Sequence, residues 1–165
     1  MTDILEDVLK PSLNVVFCGT AASKTSADNR TYYAGPGNKF WKVLNETGLT
    51  PKVFRSEEYN NLLNYDIGLT DIAKKVYGND YEINKGDYDI KRFIRKIKKY
   101  QPKIICFNGK AAGKIFFKIK SVNYGLQLQG CQDSKIFIVP STSGNANGYW
   151  DIDYWHALSR LIKVK

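Results

Sequence analysis

Three short runs of uninterrupted apolar residues punctuate the chain, and each ends in a turn of small residues. "NVVFC" (14–18) leads into "GTAAS", "KIICF" (103–107) into "NGKAAG", and "KIFIVP" (135–140) into "STSGNANG". Continuous runs, as opposed to alternating ones, suit strands covered on both faces and hence a parallel sheet. Between the runs the apolar period changes to that of a helix. "NKFWKVLNETG" places Phe40, Val43, Leu44 and Thr47 on one side and stops at Gly48. "SEEYNNLLNY" offers Ser56 as a cap, with Tyr59, Leu62 and Leu63 inward. In "DYDIKRFIRKIKKYQP", Ile90, Phe93, Ile94, Ile97 and Tyr100 recur at helical spacing until Pro102. "GKAAGKIFFKI" and "DIDYWHALSRLI" supply two more helices.

This alternation predicts a single α/β domain over 1–165: a three-layer α/β/α sandwich around a mainly parallel sheet, with right-handed crossovers. Ligands of such sheets bind beyond the carboxyl ends of the strands. "GTAAS" and "STSGNANG" are therefore expected on one rim, forming a slot with a backbone-amide floor. "TYYAGPGN" (31–38) is placed to add an aromatic wall.

Composition narrows the class. A chain of 165 residues with 43% hydrophobic and 25% charged content buries a real core. No apolar run is long enough for a bilayer span, and "MTDILEDVLK" is too acidic for a signal peptide, so an intracellular protein is expected: nucleoid-associated in a prokaryote, nuclear in a eukaryote. Cys18, Cys106 and Cys131 are widely spaced and only one His is present, so neither a metal site nor a cofactor is expected. The net charge of +9 favours an anionic partner, nucleic acid first.

"GTAAS" carries neither a Walker Gly-Lys-Ser/Thr nor a GxGxxG fingerprint, and "GKAAGK" has the wrong spacing for phosphate and reads as a helix start. In "YYAGPGNKFW", Phe40 and Trp41 belong to the core, whereas Tyr32 or Tyr33 presents a ring on which a base would stack, worth about 1–3 kcal/mol. Asn38 suits either a base edge or a water, and equally the cap of the helix that follows. The basic residues Lys91, Arg92, Arg95, Lys96, Lys98 and Lys99 form a solvated helix face that adds to long-range attraction. Ser141–Trp150 gathers hydroxyls, Gly and Asn, which suit phosphate oxygens.

Taken in order, these segments resemble the mismatch-specific uracil-DNA and thymine-DNA glycosylase branch of the uracil-DNA glycosylase superfamily. The resemblance runs through "DILEDVLKPSLNVVFCG", the "SA" of Ser26 and Ala27, "PGNKFWKVLNETGLTP", "LLNYDIGLTDIAKK", "YQPKIICFNGKAAG" and "IFIVPSTSG". It implies a monomeric glycosylase of base excision repair, without cofactor. Such an enzyme flips a deaminated or mismatched base out of double-stranded DNA and hydrolyses its N-glycosidic bond. Carried over, Gly19, Thr20, Ala21, Ala22 and Ser23 lie under the flipped base, Ser26 is near it, and Tyr33 stacks on it. Ser141, Thr142, Ser143, Gly144, Asn145 and Asn147 form the loop that grips DNA and fills the gap.

The motifs also depart from that branch. The Asn of its "GINPG" falls on Ala21 and the Pro on Ala22, while "PNPSGL" becomes "PSTSGN", putting Ser141 at the first Asn and Asn145 at the apolar wedge. Locally "YYAGPGNKFW" is more similar to the hypoxanthine-DNA glycosylases, a resemblance that implies a catalytic role for Asn38. Bond breaking at a deoxynucleoside is largely dissociative, so orientation and electrostatics count for more than a strong base. Asn38 and Ser23 are thus the expected catalytic pair, with Asp28 and Asp151 in reserve. Two other classes stay open: a lesion-binding protein with its chemistry lost, kept in play by Ala21, and a nucleoside- or nucleotide-binding protein using the same rim.

Overall fold

The computed structural model describes residues 2–163. Five strands form one sheet in the order β2-β1-β3-β5-β4. The first strand, β1, is Val15–Gly19; β2 is Ile67–Asp71, β3 Ile104–Asn108, β4 Gly125–Leu126 and β5 Lys135–Val139. All neighbours are parallel except the short β4, which runs antiparallel to β5. Helices cover both faces, giving the expected three-layer α/β/α sandwich.

The helices are α1 (Lys24–Asn29), α2 (Phe40–Glu46), α3 (Ile90–Tyr100), α4 (Lys110–Phe117) and α5 (Ile152–Lys163). Segment 56–65, expected as a helix capped by Ser56, is a 3₁₀ helix whose cap position is Arg55. Leu62 is its fully buried residue, with Tyr59 and Leu63 packed partly against the core. Helices α1 and α3 begin and end for local reasons. Ser23 caps α1 by accepting from Ser26 N, and Arg30 ends it in a left-handed turn. Asp89 caps α3 through Arg92 N, and Gln101 ends it with φ 49° before Pro102.

The sheet separates two cores. Val15, Phe17, Leu69, Cys106 and Phe137 face α2 and α5, where Phe40, Val43, Leu44 and Trp155 are buried. Cys18, Ile105, Phe107, Ile136 and Ile138 face Phe93, Ile97 and Ala112 of α3 and α4. Trp155 stacks on Phe17 with ring centroids 5.5 Å apart, and its indole donates to Pro140 O at 3.1 Å. Each such fully buried side chain contributes about 1.5–3 kcal/mol of apolar transfer. The three cysteines are buried free thiols.

The sequence pattern gave no sign of β2, although all five of its residues are buried. Its Gly68 lies under the N-terminal segment, where a Cβ would come within 2.6 Å of both Leu13 Cδ1 and Val8 O. A bridge between Val8 and Leu69 closes that contact.

Candidate active site

The turn at the end of β1 is clasped by the chain that follows β2. Ile72 N donates to Gly19 O, Ala73 N to Thr20 O and Gly78 N to Ala22 O, at 3.0, 2.8 and 2.9 Å. The Thr20 hydroxyl donates to Asp80 at 2.5 Å. Ala22 is buried and Ala21 half-buried, so the turn meets its surroundings mainly as backbone and methyl groups.

Loop 30–38 forms the next wall. The two tyrosines have different surroundings, which sequence reading left open. Tyr32 is 2% exposed and donates its hydroxyl to Glu6 O, so it belongs to the core. Tyr33, at φ 53°, lays its ring on Phe40 with centroids 4.0 Å apart and planes 25° apart. The Tyr33 hydroxyl turns inward beside Gly19 and has no hydrogen-bond partner among the described residues. Ser26, expected near the base, is 2% exposed and accepts from Ala34 N at 3.1 Å, so it braces this loop.

Asn38 Oδ1 accepts from Phe40 N at 3.0 Å. The amide is thereby oriented: its carbonyl is occupied at the start of α2, leaving the NH₂ group to offer donors. Ser23 likewise uses its oxygen to cap α1 and keeps a hydroxyl proton to give.

The late loop is held by a buried knot. Thr142 is 0% exposed; its N–H donates to Asn108 Oδ1 at 3.1 Å, and Asn108 Nδ2 donates to its Oγ1 at 2.9 Å. Lys39 N donates to Thr142 O at 2.9 Å, tying the loop to the start of α2. Thr142 was expected to touch DNA; with no exposed surface it is instead the anchor of the loop that would. Ser141 accepts from Ser143 N and Ser143 from Asn145 N, shaping the 3₁₀ helix Gly144–Tyr149. Asn147 accepts from the Lys39 ammonium. Gly37 and Gly144 touch backbone to backbone, where a Cβ on Gly144 would lie 3.3 Å from Gly37 O.

Together these loops enclose a cleft of about 370 Å³. Its walls include Ser23, Gly37, Asn38, Ser143, Gly144 and Asn145, with Asn79 and Glu82 opposite. Gly19 and Tyr33 meet at the inner ends of two of the same loops. The reserve carboxylates stand apart from this chemistry: Asp28 pairs with Lys24 on an exposed face of α1, and Asp151 accepts from Asp153 N at the start of α5.

Two residues absent from the sequence-derived site belong to its frame. Asn108, at the end of β3, makes the knot with Thr142. Asp71, at the end of β2, pairs in register with Gly19. Burial pushes the Asp71 carboxyl up to about 7, with Lys74 opposing and Asp7 reinforcing the rise. The signal available for Asn108 was position, as a polar residue at the carboxyl end of a buried strand, whereas Asp71 had none because β2 itself was not legible.

The basic face of α3 does not line this cleft. Tyr100 O accepts from Ser12 N, near the start of β1, so the C-terminal end of α3 reaches the edge of the sheet opposite the slot. The N-terminal half of α3 instead starts just beyond β2, where Asp89 N donates to Ile72 O and the Lys96 ammonium reaches Thr70, and here Arg92 and Lys96 pair with Asp3 and Asp7.

A solution NMR structure of a protein from Methanosarcina acetivorans, provisionally assigned as a uracil DNA glycosylase, shares the fold. The TM-score is 0.72 at 23% identity, covering 96% of each chain. Among the described residues no helix is long and apolar enough to cross a membrane. The family model of the uracil DNA glycosylase superfamily matches residues 6–160, nearly the whole chain, and this protein is a member of that superfamily.

Proposed function

We propose that this protein is a monofunctional DNA glycosylase that hydrolyses the N-glycosidic bond of a flipped, deaminated base and leaves an abasic site. Uracil is the expected base, with mismatched thymine and hypoxanthine as further substrates. The observation that carries this reading is the convergence of Ser23, Asn38 and Ser143 on one cleft, next in sequence to a turn of backbone and methyl groups.

In this reading the base enters between the β1 turn and loop 30–38 and stacks against the outer face of Tyr33, whose inner face is held by Phe40. As the glycosidic bond lengthens, negative charge develops on the base. The Asn38 NH₂, the Ser23 hydroxyl and the turn amides supply hydrogen-bond donors to that charge, the kind of pre-oriented stabilisation that lowers such barriers most. The late loop, carrying Ser143, Gly144, Asn145 and Asn147, lies against the DNA backbone, and the +9 charge draws the duplex in. The similarity of "YYAGPGNKFW" to hypoxanthine-DNA glycosylases and the methyl group of Ala21 both favour Asn38 over the turn as the source of catalytic donors.

The test is single-turnover cleavage of duplexes carrying uracil, mismatched thymine or hypoxanthine, scored as alkali-labile abasic sites. Cleavage of at least one, abolished or strongly reduced by Asn38→Ala, is the expected result. Salt-sensitive binding of lesion duplexes with no cleavage would instead support the second reading, a lesion-binding protein, which Ala21 favours.

A further inference from the structure

The glycosylase reading leaves one requirement unfilled, and this inference rests on it: something must take the proton of the attacking water. The β1 turn has no group for that purpose. Thr20 donates to Asp80, Ala21 and Ala22 carry methyls, and Ser23 is a cap. Asn38 has its carbonyl engaged by Phe40 N.

The neighbouring strand supplies what the turn lacks. A Cβ on Gly19 would lie 2.8 Å from Asp71 Oδ1 and 3.9 Å from the Tyr33 hydroxyl, so two oxygens from different elements converge beside the bare α-carbon. The Tyr33 hydroxyl is buried beside Asn108, whose amide is committed to Thr142, and no group meets it in full hydrogen-bond geometry among the described residues. Buried polar atoms are nearly always satisfied, by protein or by water, so this one marks a place for a polar guest. The nearest cations, Lys74 and Lys96, and the Gly19 N–H offset the burial of Asp71 only in part, because Asp7 takes the Lys74 ammonium at 2.9 Å and the Lys96 ammonium at 2.6 Å.

We propose that Asp71 and the Tyr33 hydroxyl hold the hydrolytic water beside Gly19, and that Asp71 is the general base of the reaction. The water oxygen forms a bond to C1′ as the C1′–N bond breaks and its electron pair leaves with the base. The water proton passes to the Asp71 carboxylate. It then returns through solvent to the departed base anion, so that base and abasic sugar are both neutral at the end.

The groups facing Asp71 are Cys18 on β1, Tyr32 and Tyr33 on loop 30–38, Asp7 on the N-terminal segment, Lys74 after β2 and Lys96 on α3. Burial pushes Cys18, Tyr32 and Tyr33 well up and Lys96 down. Asp7 is pushed up by burial but held below its ordinary value by Lys74 and Lys96. A titration near neutrality therefore belongs to Asp71, and general-base catalysis by it requires the ionised form.

The experiment is the pH dependence, from 5.5 to 9, of single-turnover cleavage of whichever base in the panel the wild type removes. Asp71→Asn and Tyr33→Phe are measured beside it, with lesion-duplex binding recorded for each. The wild-type rate is expected to rise with pH along a limb centred near 7. Asp71→Asn should lower the plateau by about 10²–10³-fold and abolish the limb, with binding changed less than twofold. Tyr33→Phe should lower the rate about tenfold and keep the limb. A wild-type rate that is flat between pH 6 and 8, or Asp71→Asn within threefold of wild type, overturns the assignment of Asp71 while leaving the glycosylase reading intact. A wild type that cleaves nothing overturns both.

Discussion

A buried carboxyl that ionises late should weaken the fold as pH rises, and Asp71→Asn turns that expectation into a measurement. In the unfolded chain Asp71 ionises near 3.8, and in the folded protein at about 7. Between those values the folded state keeps a proton that the unfolded state has lost, so stability falls through this window and the loss is complete above it. Three pH units at about 1.4 kcal/mol each amount to about 4 kcal/mol, an upper figure because the site relaxes on ionisation. For a domain of this size that corresponds to a melting shift of up to about 12 °C. Asn has the shape of Asp and does not ionise, so the variant loses this pH-dependent penalty. Any cost of burying its NH₂ group is the same at every pH. Thermal or urea melts of both proteins between pH 4.5 and 8.5 supply the difference curve, from which the shared contributions of Asp3 and Asp7 cancel. The variant should gain on the wild type steadily as pH rises from 4.5 to about 8. A difference that does not change with pH would refute the reasoning. Stability bought by Asp71→Asn at the expense of activity is the pattern expected of a strained functional group.

Other substitutions separate structure from chemistry. Asn38→Asp keeps the oxygen that accepts from Phe40 N but removes the NH₂ donors, so its melting temperature should stay near wild type while single-turnover cleavage falls at least tenfold. Asn38→Ala should lose the activity and about 1 kcal/mol of stability as well, read by urea denaturation. Thr142→Val removes the hydroxyl that accepts from Asn108 and should cost about 1–3 kcal/mol, with duplex binding weakened because the late loop is no longer pinned. Asp7→Asn should destabilise the protein at pH 7, since it strips Lys74 and Lys96 of their shared carboxylate; the difference should shrink only as pH falls below 3.8 and through the depressed ionisation of folded Asp7, where the two melting curves should converge.

The sequence by itself determined the strands and helices whose signal is local. β1, β3 and β5 are continuous apolar runs that need no context to be read, and α3 declares itself by the spacing of Phe93 and Ile97, a capping Asp and a terminating Pro. It determined the rim as well, because a parallel sheet places every strand-end turn on one edge. β2 escaped because "IGLTD" contains Gly, Thr and Asp, and only the N-terminal segment folded over Gly68 makes it a buried strand. The same distinction runs through the site. Which of Tyr32 and Tyr33 reaches Glu6 and which lies on Phe40 beside Gly19 depends on contacts set by a left-handed turn at Tyr33. Thr142 and Ser26 look like binding residues until their hydroxyls are seen buried in loop-bracing bonds. Asp71 acquires its meaning only from pairing with Gly19, some fifty residues away along the chain. Propensity and period are properties of neighbours in sequence. Burial, and therefore the proton affinity of a carboxyl, is a property of neighbours in space.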